Sequence, residues 1–239
     1  MTSPPISPRR ITSRDNPHFK ALRQLAADNT AYRKLGQVWV EGEHLCSAAL
    51  ARGVRLQTWV FSESGWADRS AALAPLESEV WVLPDALFAS LSELPSPGGV
   101  AGLLPLQQAP VMQPQAHTLV LDRVQDAGNV GSMLRSAAAM GVTQVLALKG
   151  TAALWSPKVV RSAMGAHFAL CLIESLHVQD LTFLQAPLVV TLPHRGPGVQ
   201  PDLIERAAWT VRIAQPGGEE SLNVAAAAAI CLYTSATSR

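Results

Sequence analysis

The sequence predicts an α/β protein in two parts, the second of them built on a mostly parallel sheet. Two observations carry this. Short apolar runs alternate with helical stretches along both halves, and a stretch of linker composition, PLQQAPVMQPQA at 105–116, interrupts the rhythm near the middle. Short buried strands that alternate with helices need both sheet faces covered, which is the parallel arrangement.

The elements follow in order. Residues 1–10 are rich in proline and read as a disordered tail. A helix is predicted over 17–29, a strand over 37–41, a helix over 43–52, and strands over 56–62 and 80–83. Asp85 is a candidate N-cap for a helix running to Leu94, and 99–104 reads as the last strand of the first part. In the second part strands are expected at 118–122, 144–148, 167–171, 188–192 and 210–213. Helical stretches lie near 129–140, 156–164, 178–185 and 201–207, and a last helix begins near Leu222. The expected division is therefore 1–10, 11–104, a linker at 105–116, and 117–239.

Composition narrows the class. Of 239 residues, 48% are hydrophobic and 15% charged, which excludes a disordered polyelectrolyte. The formal net charge of +1 does not by itself point to nucleic acid. Residues 1–34 nevertheless carry Arg9, Arg10, Arg14, Lys20, Arg23, Arg33 and Lys34 against Asp15 and Asp28, a local excess of five positive charges that suits phosphates. Cys46, Cys171 and Cys231 are odd in number and sit in apolar surroundings, so they read as reduced core residues. The six histidines show no zinc spacing, and no metal is expected. Residues 1–10 lack the apolar stretch of a signal peptide, and the longest apolar run, 224–233, falls short of the ~20 residues that span a bilayer. A soluble cytoplasmic protein is expected.

Three clusters in the second part bear chemistry. In LDRVQDAGNVGSMLRSAAAMGV, 121–142, a strand runs through a loop into a helix whose start holds Asn129, Gly131 and Arg135. That is the carboxyl edge of the sheet, where open α/β folds bind ligands; an ordinary capped helix with a solvated arginine fits equally. In SPKVVRSAMGAHF, 156–168, Lys158 and Arg161 share a helical face and form either a phosphate clamp or a solvated basic surface. In IAQPGGEESLNVAAAAAICLY, 213–233, Ser221 or Asn223 can cap a helix so rich in alanine that it must pack closely, on its own sheet or on a partner subunit.

Together, in this order, the clusters resemble the motifs of the SpoU (TrmH) family of the SPOUT superfamily of RNA methyltransferases. The family's first motif, N-x-G-x-x-x-R-x-A, is met by Asn129, Gly131, Arg135 and Ala137, and its last by Ile213 and Ser221-Leu222-Asn223-Val224. The N-terminal half is similar to the family's substrate-binding domain at 13–20 and at Val40-Glu41-Gly42. The resemblance implies a mostly parallel sheet tied in a trefoil knot, a homodimer, and S-adenosyl-L-methionine as methyl donor to a ribose 2′-hydroxyl of RNA. It assigns Asn129, Arg135, Ser221 and Asn223 to catalysis, and Leu192, Pro193, Gly196, Ile213 and Leu222 to the cofactor. With the basic residues already noted, Arg14, Lys20, Arg33, Lys158 and Arg161 are the candidate RNA contacts. A guanidinium is effectively never deprotonated, so Arg135 is expected to bind phosphate and stabilise developing negative charge, not to act as a base.

The chain departs from the family at one place of consequence. Where the middle motif is G-x-E-G-x-G, 193–198 reads Pro-His-Arg-Gly-Pro-Gly. Pro193 lacks a backbone N–H and Arg195 reverses a charge. A lesser departure is Ser162-Ala163, an order that the family more often inverts. Ribosomal RNA is the expected substrate, with tRNA as the alternative. A catalytically silent RNA-binding protein of the same fold is the rival from another class. A nucleotide-dependent doubly wound enzyme is disfavoured, because neither half has G-x-G-x-x-G after its first strand.

Overall fold

Strands β1 (Arg9–Arg10), β2 (Gln37–Glu41), β3 (Thr58–Ser62), β4 (Glu79–Leu83) and β5 (Val100–Pro105) form, in the order β1-β4-β3-β5-β2, the first sheet of this computed structural model. The structure describes residues 7–73, 78–106, 110–192, 198–217 and 222–238. Its chain divides into two units, Met1–Gln107 with Trp155–Arg161, and Gln108–Leu154 with Ser162–Arg239.

In the first unit β4 is parallel to β1 and β3, while β5 runs antiparallel to β3 and β2. Its helices are α1 (Pro17–Ala27), α2 (Ala31–Leu35), α3 (Glu43–Ala51), α4 (Glu63–Leu73) and α5 (Asp85–Ala89). Asn16 starts α1 by accepting from His18 N at 2.9 Å, with Pro17 at the first helical position, where the missing N–H costs nothing. Gly36, at φ 66°, ends α2 in the left-handed conformation. The core includes Trp39, Trp59 and Trp81, buried on β2, β3 and β4, whose indole N–H groups have no acceptor among the described residues.

The second unit holds β6 (Thr118–Leu121), β7 (Gln144–Leu148) and β8 (Cys171–Leu176) in one parallel ladder, and β9 (Val189–Thr191) with β10 (Trp209–Val211) in another. Helices α6 (Ala127–Ala139), α8 (Pro201–Glu205) and α9 (Val224–Thr237) belong to this unit, while α7 (Pro157–Ala163) falls in the first unit as far as Arg161 and in the second from Ser162. Leu146, Leu148, Val178, Leu181, Val190 and Leu203 pack into one cluster that joins β7, β9 and α8. The mostly parallel sheet is thus present, but among the described residues its five strands pair as three and two. No helix of the described residues is long and apolar enough to cross a membrane.

Several expectations need correction. Arg9 and Arg10, assigned to the tail, form β1, because Ile11 beside them is fully buried and donates its N–H to Val82 O at 2.9 Å. Helices α2 and α4 were not expected. Asp85 does not cap its own helix; its carboxylate accepts from Ser64 N and Oγ, at 3.0 and 2.9 Å, and so caps α4. That helix, α5, stops at Ala89, where the Ser90 hydroxyl donates to Leu87 O at 2.7 Å. The expected strand 167–171 is a 3-10 turn, Ala166–Ala169, because Met164 and Gly165 both take positive φ (50° and 89°) and reverse the chain first. The 178–185 helix is a 3-10 segment, Val178–Phe183. The cysteines are unpaired, but only Cys46 is buried; burial, then the Glu43 charge, pushes its thiol up to about 12.

Candidate functional site

Beyond the carboxyl end of β6 the chain enters α6 through Asp126, whose side chain accepts from Asn129 N at 2.7 Å and starts the helix. Gly131, buried one turn in, has a reason to lack a side chain. A Cβ there would lie 2.4 Å from Ser162 Cβ and 2.8 Å from Ala163 N. The glycine therefore lets α6 meet the end of α7 backbone to backbone, and Ser162 Oγ donates to Gly128 O at 3.1 Å across that contact.

Much later in the chain, Asn223 caps α9. Its Oδ1 accepts from Ala225 N at 2.9 Å and Ala226 N at 3.3 Å, and its Nδ2 donates to Asn129 Oδ1 at 2.9 Å. Two asparagines 94 residues apart in sequence are thus joined side chain to side chain, at the N-termini of two helices.

The remaining predicted residues are placed as follows. Arg135 is exposed and makes no ion pair or hydrogen bond with described residues. Leu192 is half-buried, and its N–H continues the β9–β10 ladder by donating to Val211 O at 2.9 Å. Ile213 is half-buried just beyond β10, and Leu222 is exposed before α9. Pro193, Gly196 and Ser221 lie outside the described residues, as does Arg195. Arg14 and Lys158 are exposed, and Lys20 pairs with Asp15 at 3.2 Å. Arg33 donates from Nε to Tyr32 Oη at 3.0 Å with its guanidinium 5.4 Å from that ring's centre. Arg161, grouped with the first unit, is ion-paired to Glu93 at 2.7 Å, so its charge is already met.

Sequence reasoning missed one node. Asp122, directly after β6, accepts from Arg123 Nε and Nη2 at 3.0 and 3.2 Å, and from Gln200 N and Nε2 at 2.8 and 2.7 Å. Arg123 Nη2 also donates to Gly198 O at 3.2 Å. Burial alone would raise the Asp122 carboxyl, but the hydrogen bonds from Arg123 and Gln200, with the Arg123 charge, hold it below the ordinary carboxylate range. Arg123 reaches this geometry at φ 54°, an uncommon conformation for a non-glycine residue. The one local sign was a carboxylate ending an apolar run; its partner, 78 residues away, has no mark in the spacing.

Comparison with known proteins gives the family. The SpoU rRNA Methylase family matches residues 116–186, and the MRM3-like substrate binding domain matches 16–102. An uncharacterized tRNA/rRNA methyltransferase of Synechocystis sp. is 32% identical over 254 residues, covering 93% of this chain and 92% of that protein. The 23S rRNA (guanosine(2553)-2′-O)-methyltransferase RlmP of Bacillus subtilis is 28% identical, over 94% of this chain and 98% of its own. The crystal structure of an AdoMet-bound rRNA methyltransferase from Sinorhizobium meliloti has the same fold. It superposes with a TM-score of 0.79 at 24% identity, covering 94% of this chain and 96% of that one. With both halves matched in order, and a relative alike over nine-tenths of either chain, this protein belongs to the SpoU rRNA methylase family.

Proposed function

We propose that the protein transfers a methyl group from S-adenosyl-L-methionine to a ribose 2′-hydroxyl of structured RNA, ribosomal RNA before tRNA, in the cytoplasm. The observation that carries this reading is the Asn129–Asn223 hydrogen bond, which joins the first and last family motifs in one place. The Bacillus subtilis relative is named for 2′-O-methylation of 23S rRNA, and the chain matches nearly all of it. In this reading residues 11–104 bind the RNA, 105–116 link, and 117–239, knotted as a trefoil, carry the reaction as a homodimer.

The ends of β9 and β10 suit the cofactor. Leu192 and Ile213 follow the carboxyl ends of two adjacent parallel strands, where α/β folds hold ligands, and with Leu222 they offer the apolar surface that an adenine ring requires. Pro193 and Gly196 complete the assignment from sequence. Once bound, the sulfonium supplies an activated methyl group, and the protein has little covalent work to do. Its residues orient the ribose and receive charge. Arg135, exposed and without an ion partner among the described residues, is free to take an RNA phosphate and to stabilise the oxygen as it loses its proton. Asn129 and Ser221 hold the hydroxyl in line, with Asn223 hydrogen-bonded to Asn129 in the same catalytic group. Arg14, Lys20, Arg33 and Lys158 contact phosphates, and Arg161 contributes only if RNA displaces Glu93.

The test is transfer of labelled methyl from adenosylmethionine to unmodified rRNA and tRNA, assayed separately with purified protein. Label that resists alkaline cleavage at one nucleotide supports the reading and selects the substrate. RNA binding with no label in either pool overturns it in favour of a silent RNA-binding protein.

A further inference from the structure

Resting on the reading above, we propose that Asn223 is a positioning residue that fixes the polarity of Asn129, so that Asn129 meets a bound ribose oxygen as a hydrogen-bond donor. A carboxamide turned by half a rotation exchanges its donors for its acceptor, so an isolated asparagine presents either end. Here the end is dictated. The backbone N–H groups of Ala225 and Ala226 can only donate, so the atom of Asn223 that faces them is Oδ1. Its Nδ2 must then lie on the opposite side, where it donates to Asn129 at 2.9 Å. Asn129 answers with Oδ1, and its own Nδ2–H groups are left with no acceptor among the described residues. The N-terminal backbone of α9 therefore decides, through one side chain, what α6 shows to a ligand.

The neighbouring charge selects the ligand class. Asp126 already places a carboxylate at the start of α6, 2.7 Å from Asn129 N. A phosphate or a second carboxylate approaching Asn129 meets that negative charge, whereas a neutral sugar oxygen does not. Ribose oxygens belong both to RNA and to adenosylmethionine, and affinity for each separates the two sources.

The variants are Asn223→Ser, Asn223→Asp and Asn129→Ala in the full chain, read by thermal midpoint, by binding of an unmodified rRNA transcript and by binding of adenosylmethionine. Serine and aspartate keep an oxygen for the α9 cap, so the midpoint stays at its wild-type value. Aspartate has no proton to donate, and the serine hydroxyl ends one bond short of the Asn223 amide nitrogen, so neither replaces the bond to Asn129 and one of the two ligands binds about tenfold more weakly. A loss for the transcript places the oxygen on RNA, and a loss for adenosylmethionine places it on the cofactor. In the Asn129→Ala background Asn223→Ser costs nothing further, which a purely capping role does not predict. Wild-type affinity for both ligands in Asn223→Ser and Asn223→Asp, or an undiminished loss in that background, overturns the inference. A wild type that binds RNA but methylates none overturns the proposed reaction alone, since these binding comparisons still decide the role of Asn223. A wild type that binds neither ligand overturns both.

Discussion

In the proposed reaction Arg135 acts with little help from its surroundings. It sits on α6 with no carboxylate to answer it among the described residues. Exposed arginines cost little to remove, so Arg135→Ala is expected to leave the thermal midpoint and adenosylmethionine affinity near wild type. It should lower methyl transfer by at least about a hundredfold, the scale of a lost charge-stabilising donor. Single-turnover transfer beside calorimetric cofactor binding checks this, and an active variant removes Arg135 from the mechanism. His167 lies at the other extreme. It is fully buried and donates from Nε2 to Leu154 O at 2.7 Å. Burial lowers its pKa from 6.5 to about 4, against the smaller opposing pull of the Leu154 carbonyl. Below about pH 6.5 the unfolded imidazole takes a proton that the folded one refuses until about 4. The stability it contributes is therefore complete above 6.5 and lost as pH falls through that window, about 3 kcal/mol in all. Urea unfolding at pH 7 and pH 4 should show wild type losing this amount beyond what His167→Phe loses.

At the scale of elements, the packing of α6 on α7 depends on an absent side chain. Gly131→Ala would normally gain helix propensity, by up to about 1 kcal/mol. Here the new Cβ meets Ser162 Cβ at 2.4 Å and the Ala163 backbone at 2.8 Å, so the helices must separate. A net destabilisation of about 1–3 kcal/mol is expected in denaturant unfolding; a stabilised variant would show the contact to be loose. The same contact shows what the sequence makes legible. Spacing set Gly131 and Arg135 on one helix, and the alanine run left Ser221 or Asn223 as its cap, of which the structure shows Asn223. Strands such as Gln37–Glu41 and Gln144–Leu148 followed from β-rich apolar runs. What escaped was set by distant partners. Arg9–Arg10 pairs with a strand some seventy residues on, at Trp81 and Val82, and Asp85 serves the helix before its own. The Asp122–Gln200 bonds close over 78 residues, and the turn before His167 rests on a non-glycine residue at positive φ, which local propensity disfavours.

At the scale of the molecule, the second unit keeps large apolar side chains in solvent. Trp209 is 61% exposed, Tyr233 58% and Val189 51%, which agrees with the proposed assembly of two copies. Light scattering on the purified protein should return twice the monomer mass at micromolar concentration, and a monomer would remove the dimer from the proposal. Four of the six tryptophans lie before residue 82, and Trp209 is the one tryptophan of the second unit. Trp39, Trp59 and Trp81, buried with their indole N–H groups unmet among the described residues, should fluoresce at the blue end of the range, and Trp209, open to water, at the red end. With Trp155 grouped in the first unit, the two units thus carry separate optical labels. Excitation at the red edge follows events beside β10, and the blue emission follows melting of the first sheet, in one sample and without a dye.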